Sequence, residues 1–415
     1  MSAKIEKIFD FWAMAEKLKS VKRWKGVPKM KPKETAADHS WQLAVLTFTA
    51  IKEFELNLDE LKCLKLALVH DLVEAVTDDL DSVLVHSGQA DGSKKSREER
   101  VAILEIVKTL PSKSGLEIKT LWLEYEDKKT PEAKLVYALD KMESVLHLIF
   151  MGHKSFHDYP DFIALYCHKP VDDFPALRPL HYLMQQKLKN EFKKHGWTWK
   201  KEYDVPRVSG ELVKKAEIIF KLAGIGESFK KIRRYSSVDQ MTEKESSAEH
   251  SWSLALASFI IAGELKFEVD NLKSVKIALF HDIAESITGD IDYSLIYFGI
   301  KTKEDKRKEE LFAIKKIRKT LGTKTGRGIF NLWQEYENRE TEEGKFIKAL
   351  DKIEGINHIL ALGHKCFDHP ELIAPYPNKA TLSYPPAIPL LRELHKRLKP
   401  EYIKRNWEWK DSYYI

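Results

Sequence analysis

Cysteine is scarce in this 415-residue chain. The three present, Cys63, Cys167 and Cys366, are far apart and odd in number. They build neither a disulfide framework nor a Cys-x-x-Cys zinc site, so a reducing cytoplasm is the expected compartment. With 18 glycines and 16 prolines the chain is neither collagen-like nor of low complexity. Long apolar runs are missing. The longest, around Leu254 to Gly263, falls far short of the roughly 20 residues that span a bilayer. The opening Met1-Ser2-Ala3-Lys4-Ile5-Glu6-Lys7 has no apolar segment of the kind a secretory signal carries. A strong charge bias is also absent: 69 Lys and Arg against 63 Asp and Glu leave +6. That permits an anionic substrate without demanding nucleic acid. The basic run Lys230-Lys231-Ile232-Arg233-Arg234 reads as a solvated helix face. Against these absences, 43% hydrophobic and 32% charged residues describe a folded chain with a real core.

The chain repeats itself. Glu34-Thr35-Ala36-Ala37-Asp38-His39-Ser40-Trp41-Gln42-Leu43-Ala44 returns as Glu245-Ser246-Ser247-Ala248-Glu249-His250-Ser251-Trp252-Ser253-Leu254-Ala255, with seven of eleven positions identical. The same offset of 211 residues carries His70-Asp71 to His281-Asp282, Trp122 to Trp333, Asp140-Lys141 to Asp351-Lys352 and Gly152-His153-Lys154 to Gly363-His364-Lys365. So long a period means two copies of one domain rather than a solenoid. The boundary is expected in Asp204 to Gly210, giving domains 1–205 and 206–415 that pack on each other. Between Asp59 and Asp71 apolar residues recur at 61, 64, 68 and 72, a helical period with an acidic first turn. Segments 97–110, 133–150 and 307–321 repeat it, and alternating strand patterns are scarce. The fold class is all-α.

Each copy holds the same four ligand-type residues in order, His39, His70-Asp71 and Asp140, then His250, His281-Asp282 and Asp351, with spacings preserved. An isolated His-Asp pair in a helix is usually incidental. Here His70, Asp71 and Glu74 are expected within one turn of an apolar helix, where burial is costly unless a cation compensates. Two imidazoles and two carboxylates suit Mn²⁺, Co²⁺, Fe²⁺ or Zn²⁺ better than Ca²⁺ or Mg²⁺.

These residues resemble the H…HD…D signature of the HD-domain metal-dependent phosphohydrolases, here in tandem. The flanking runs are similar to those of the 5′-deoxynucleotidase branch: Lys22-Arg23-Trp24, Ala37-Asp38-His39-Ser40-Trp41, His70-Asp71-x-x-Glu74-x-x-Thr77-x-Asp79, Trp122-x-Glu124-Tyr125-Glu126 and Asp140-Lys141-x-Glu143. Copy two carries Arg233-Arg234-Tyr235, Glu285, Thr288-Gly289-Asp290, Trp333-Gln334-Glu335-Tyr336-Glu337 and Asp351-Lys352-x-Glu354 at matching places. The resemblance implies two tandem helical bundles, each holding one divalent metal (Mn, Co, Fe or Zn) on its four ligands. It implies that Glu74 and Glu285 handle the water or the leaving-group proton, and that Arg23 and Arg234 clamp phosphate. Trp24 and Tyr235 would face the sugar, and Asp79 and Asp290 would accept from a sugar hydroxyl or help in proton transfer. Trp122, Tyr125, Trp333 and Tyr336 read as core, Glu143 and Glu354 as ion-pair partners, and His153 and His364 as loop or cap residues.

Dinuclear relatives need further histidines between the His-Asp pair and the last Asp. From 72 to 139 only His86 is present, its counterpart is Tyr297, and 283–350 has none. A mononuclear site is therefore expected, and the resemblance implies that it hydrolyses (deoxy)nucleoside 5′-monophosphates. The alternatives are a nucleotide-binding sensor or scaffold with little turnover, or hydrolysis of another nucleotide-like phosphate ester. The copies are expected to form an intramolecular pseudo-dimer. Asp78 against Gly289 and Trp24 against Tyr235 are the departures between copies, and they point to sites of different rate or preference.

Overall fold

The computed structural model describes residues 1–414. Long helices dominate. In the first half they are α1 (Ser2–Ala15), α2 (Ala36–Glu53), α3 (Glu60–Val69), α4 (Gly92–Thr109), α5 (Ser112–Asp127), α6 (Pro131–Met151) and α7 (Arg178–His195). The second half repeats them as α8 (Gly210–Phe229), α9 (Ser247–Leu265), α10 (Asn271–Phe280), α11 (Lys303–Leu321), α12 (Lys324–Asn338), α13 (Glu342–Leu362) and α14 (Ile388–Lys404). Among the described residues β-pairing is confined to two isolated bridges, Lys22–Thr35 and Arg233–Ser246.

Capping residues fix where the helices start. Thr35 and Asp38 form a capping box at α2, and Ser246 and Glu249 form its counterpart at α9. Asp59 caps α3 and Asp270 caps α10 through the backbone N–H three residues on. Thr130 caps α6, with Pro131 in the first turn, where its missing N–H costs nothing. Helix α2 is buried along nearly its whole length, so it forms the centre of its bundle rather than one wall.

Expected and observed helices agree except at the His-Asp pair. Helix α3 ends at Val69, and Glu74 opens a separate short turn, Glu74–Thr77. Between them the chain tightens into three-residue turns, with Leu72 N–H donating to Val69 and Glu74 N–H to Asp71. The His70 ring is bound through Nδ1 to the Ala67 carbonyl, 2.9 Å away. This break swings His70 and Asp71 toward α2 and α6 instead of continuing along α3.

The helix that opens each half also packs on the other half. Helix α1 lies against α9, α13 and α14, and α8 lies against α2, α6 and α7. Helices α2 and α9 pack on each other. The joint is reciprocal in detail. The indole of buried Trp41 donates to the Leu279 carbonyl (3.1 Å), and that of buried Trp252 donates to Leu68 (3.0 Å). Thr35 Oγ1 donates to Glu249 and Ser246 Oγ to Asp38, at 2.7 and 2.5 Å. Each bond satisfies a polar group that the apolar joint would otherwise strand.

Candidate functional site

His39 comes from α2, His70 and Asp71 from the turn after α3, and Asp140 from α6. The fold brings all four together. His39 Nε2 lies 3.2 Å from Asp140 Oδ1, 3.8 Å from Asp71 Oδ2 and 3.3 Å from His70 Nε2. The second half repeats the cluster: His250 Nε2 is 3.3 Å from Asp351 and 4.0 Å from Asp282, and His281 Nε2 is 3.0 Å from Asp282.

The histidines present their Nε2 atoms because Nδ1 is engaged on the far side of each ring. His39 Nδ1 is 2.5 Å from Glu143, and His250 Nδ1 pairs with Glu354. His70 and His281 use Nδ1 on the Ala67 and Ala278 carbonyls. Nε2 lone pairs and carboxylate oxygens therefore converge on one point. In the second half both Nε2 atoms are buried with no hydrogen-bond partner. Mixed nitrogen and oxygen donors at such spacing fit a divalent transition metal. The electrostatics agree. Burial and Arg23 push the His39 pKa down, but Glu143 and Asp140 outweigh them and raise it to about 10. The pocket thus demands positive charge at this point.

Around the cluster stand the other predicted residues. Arg23 reaches Asp71 (3.2 Å) and Ser144 (3.0 Å), and its Nε faces Glu34 at 3.4 Å. Arg234 makes the same contacts with Asp282 (3.4 Å) and Glu245 (3.1 Å). Both arginines sit beside the β-bridges, so each loop is pinned to the start of the histidine-bearing helix. The next residues, Trp24 and Tyr235, both take positive φ, +64° and +57°. Strain at the same place in both copies marks a fixed loop shape. Trp24 is buried, stacked on His147, while Tyr235 stacks on His358. Each also lines a cavity, shared with Arg23 and Asp79 in the first half (about 50 Å³) and with Arg234, Glu285 and Asp290 in the second (about 490 Å³).

Glu74 and Glu285 are buried beside these groups. Burial, with Asp71 and Asp79 or Asp282 and Asp290 nearby, holds both carboxyls well above the usual carboxylate range. Lys95 Nζ is 3.1 Å from Glu74 Oε1, and Glu74 Oε2 has no partner. Glu285 differs: Ser247 donates to its Oε2 at 2.8 Å, and Lys306 lies 3.7 Å from Oε1.

Some roles were not visible in sequence. Tyr125 and Tyr336 are buried as expected, yet their hydroxyls bond Asp140 (2.5 Å) and Asp351. Lys141 and Lys352 each pair with the preceding aspartate at 2.8 Å. Repetition of Asp-Lys and Glu-Tyr-Glu in both copies was the available signal. The run 230–234 is not a solvated face. Lys230 is buried among Glu34, Glu143 and Glu227, and only Lys231 and Arg233 are exposed. Its equivalent Lys19 is buried likewise, among Glu16, Glu245 and Glu354. A cation enclosed by three carboxylates is stable in the core, which a count of charges along the chain does not reveal.

Among the described residues no helix is long and apolar enough to cross a membrane. The chain is 36% identical over 144 residues to 5′-deoxynucleotidase HDDC2 of Dictyostelium discoideum, a match covering 33% of this chain and 72% of that protein. The zebrafish (Danio rerio) protein of the same name is 32% identical over 34% of this chain and 68% of its own length. 5′-Deoxynucleotidase YGK1 of Saccharomyces cerevisiae is 31% identical over 38% and 73%. A solved structure of a predicted metal-dependent phosphohydrolase from Magnetospirillum magnetotacticum MS-1 aligns at 21% identity over 48% of this chain and 98% of that one, with a TM-score of 0.39. A family model described as HD domain matches twice, over residues 15–169 and 226–369. The chain belongs to the HD-domain family, and carries its domain in two tandem copies.

Proposed function

We propose that each half of this HD-domain phosphohydrolase hydrolyses (deoxy)nucleoside 5′-monophosphates to nucleoside and phosphate, using one divalent transition metal per half. The observation that carries the reading is the convergence of two Nε2 atoms and two aspartates beside a half-buried arginine, repeated in both halves. His39, His70, Asp71 and Asp140 would hold the metal in the first half, and His250, His281, Asp282 and Asp351 in the second. When bound, the cation polarises the phosphoryl group and makes a nearby water more acidic.

The chain's own residues supply the rest. Arg23 and Arg234, already aligned by Glu34 and Glu245, donate to phosphate oxygens. A water oxygen attacks phosphorus in line, the bond to the 5′-oxygen breaks, and that oxygen takes a proton. Glu74 and Glu285 suit this transfer, because burial and the neighbouring aspartates hold their carboxyls well above the usual carboxylate range and so favour the protonated form. Asp79 and Asp290, at the sugar side of the cavities with Trp24 and Tyr235, accept from a sugar hydroxyl. The domains divide at 205/206, and the halves act as an intramolecular pseudo-dimer. Three free thiols fit a reducing cytoplasm.

The test is phosphate release from deoxy- and ribonucleotides with Mn²⁺, Co²⁺, Zn²⁺ or Mg²⁺, comparing the parent with Glu74→Gln, Glu285→Gln and the double variant. Each single variant should keep one working half and the double variant none. A double variant as fast as the parent would remove these glutamates from the reaction. Nucleotide binding without turnover in the parent would make the protein a sensor.

A further inference from the structure

The two pockets carry different charge at equivalent places. Lys303, Arg307 and Lys348 line the second-half cavity, where the first half has Gly92, Ser96 and Tyr137. The second pocket thus carries three cations at places where the first half has none, and Asp368 also lines it. Lys348 is the innermost of the three. It lies 4.0 Å over the Tyr336 ring, whose hydroxyl bonds Asp351, and its nearest carboxylate is Glu337 at 3.6 Å. Lys352, one turn on, already pairs with Asp351. An ammonium that faces the cavity with Glu337 as its one paired carboxylate, and with a second ammonium beside it, is placed to receive an anion. In the first half the equivalent space holds the Tyr137 ring, covered by Lys128 and Lys141 at 4.5 and 5.1 Å.

We propose that the second-half site accepts nucleotides bearing a second phosphate group, and that the first-half site is confined to monophosphates. This rests on the phosphohydrolase reading above. For a 3′,5′-bisphosphate, water adds to the 5′-phosphorus and the bond to the 5′-oxygen breaks, leaving nucleoside 3′-phosphate. For a 5′-diphosphate, water adds to the terminal phosphorus and the leaving group is the monophosphate.

The experiment uses the full chain with one half silenced by Glu74→Gln or Glu285→Gln. It compares kcat/KM for deoxyadenosine 5′-monophosphate, 3′,5′-bisphosphate and 5′-diphosphate. The preference for one doubly phosphorylated substrate over the monophosphate should be about tenfold greater in the second half, the worth of one charge-assisted hydrogen bond. Lys348→Tyr should erase that difference, and the favoured substrate identifies which phosphate Lys348 meets. Equal preferences in two halves that both cleave the monophosphate would overturn this inference alone. No phosphate release from any nucleotide by either half would overturn the nucleotidase reading instead.

A separate observation concerns Lys19 and Lys230, each delivered by the opening stretch of one half to the site of the other. Lys230 Nζ is 2.7 Å from Glu34 and 3.3 Å from Glu143. Glu143 holds His39, and Glu34 holds Arg23 and Trp24. Lys19 reaches Glu245 at 2.6 Å and Glu354 at 2.9 Å in the same way, and Glu354 holds His250. The nearby clusters Glu16, Glu245, His358 and Glu34, His147, Glu227 have the spacing of metal sites. In each the lysine ammonium already lies among the carboxylates, so it supplies the positive charge.

The geometry points to Lys230 as a positioning residue for the first site and Lys19 for the second, so that each site is complete only when both halves are docked. It too rests on the metal reading. In the Glu285→Gln background, Lys230→Met should lower kcat/KM about tenfold and weaken Mn²⁺ binding at the first site, followed by titration without substrate. In the Glu74→Gln background the same change should leave second-site kcat/KM within about twofold, since a lost ligand support acts on one centre only. Lys230→Arg should recover most of the loss. Equal damage to both sites, or damage to neither, would overturn the assignment. A parent that takes up no Mn²⁺ would overturn the metal reading beneath it.

Discussion

The two halves are the same machine built twice, and their differences show which parts the chemistry holds fixed. The geometry of the His–Asp cluster is common to both: the His39–Asp140 and His250–Asp351 contacts differ by 0.1 Å, 3.2 against 3.3 Å. The carboxylates behind the first histidine, the tyrosine on the last aspartate and the lysine from the opposite half are also duplicated. The support of the acidic residue differs, since Glu285 has a serine on its second oxygen and Glu74 has none. The turn after it differs as well: Asp78 has φ +67° where Gly289 has +75°. Residues of the His–Asp cluster are held in register, while those lining the cavities diverge.

The strongest way to break the comparison is to disable one centre at a time. His39→Ala should abolish turnover in the Glu285→Gln background, by at least about a hundredfold. It should spare turnover in the Glu74→Gln background, measured by phosphate release. His250→Ala should show the mirror-image pattern. Next comes the joint. Trp41→Ala and Trp252→Ala each remove a fully buried ring from the surface between the halves, at a cost of about 3–5 kcal/mol. Because each tryptophan serves both halves, calorimetry should show the halves losing stability together, with either variant.

A smaller effect comes from the facing caps. Burial and the Glu249 carboxylate raise the Asp38 pKa to about 7, from the ordinary 3.8. Between about pH 4 and pH 7 the folded chain keeps a proton that the unfolded chain releases, so this group's contribution to stability falls as pH rises through that window. Asp38→Asn removes the titration. Its Tm relative to the parent should rise by roughly 2 °C between pH 5 and pH 8. A constant gap would show that Asp38 does not titrate there. The smallest change expected is Asp78→Gly, which relieves a positive φ in the first half alone. It should stabilise by about 0.5–1 kcal/mol, a value read from denaturant unfolding.

Repetition made much of this legible in the sequence. The offset of 211 residues exposes the duplication and, in each half, the four His and Asp residues that the fold brings together beside a glutamate, since spacing along helices survives in the one-dimensional record. The break at Val69 was hidden, because apolar periodicity continues to Leu72 while the turn geometry is set by backbone bonds and the His70 ring. The burial of Lys230 is hidden for a different reason. A lysine in a basic run looks solvated unless one knows which helix covers it, and the helix partners come from the other half of the chain. Tyr125 reads as core, which it is, but packing patterns do not say where a hydroxyl points.

The most direct test of the central claim is metal content, measured by elemental analysis after loading with Mn²⁺ and removal of excess. The parent should hold two ions per chain, His39→Ala and His250→Ala one each, and the double variant none. A parent that stays free of metal, or single variants that both still hold two, would contradict it.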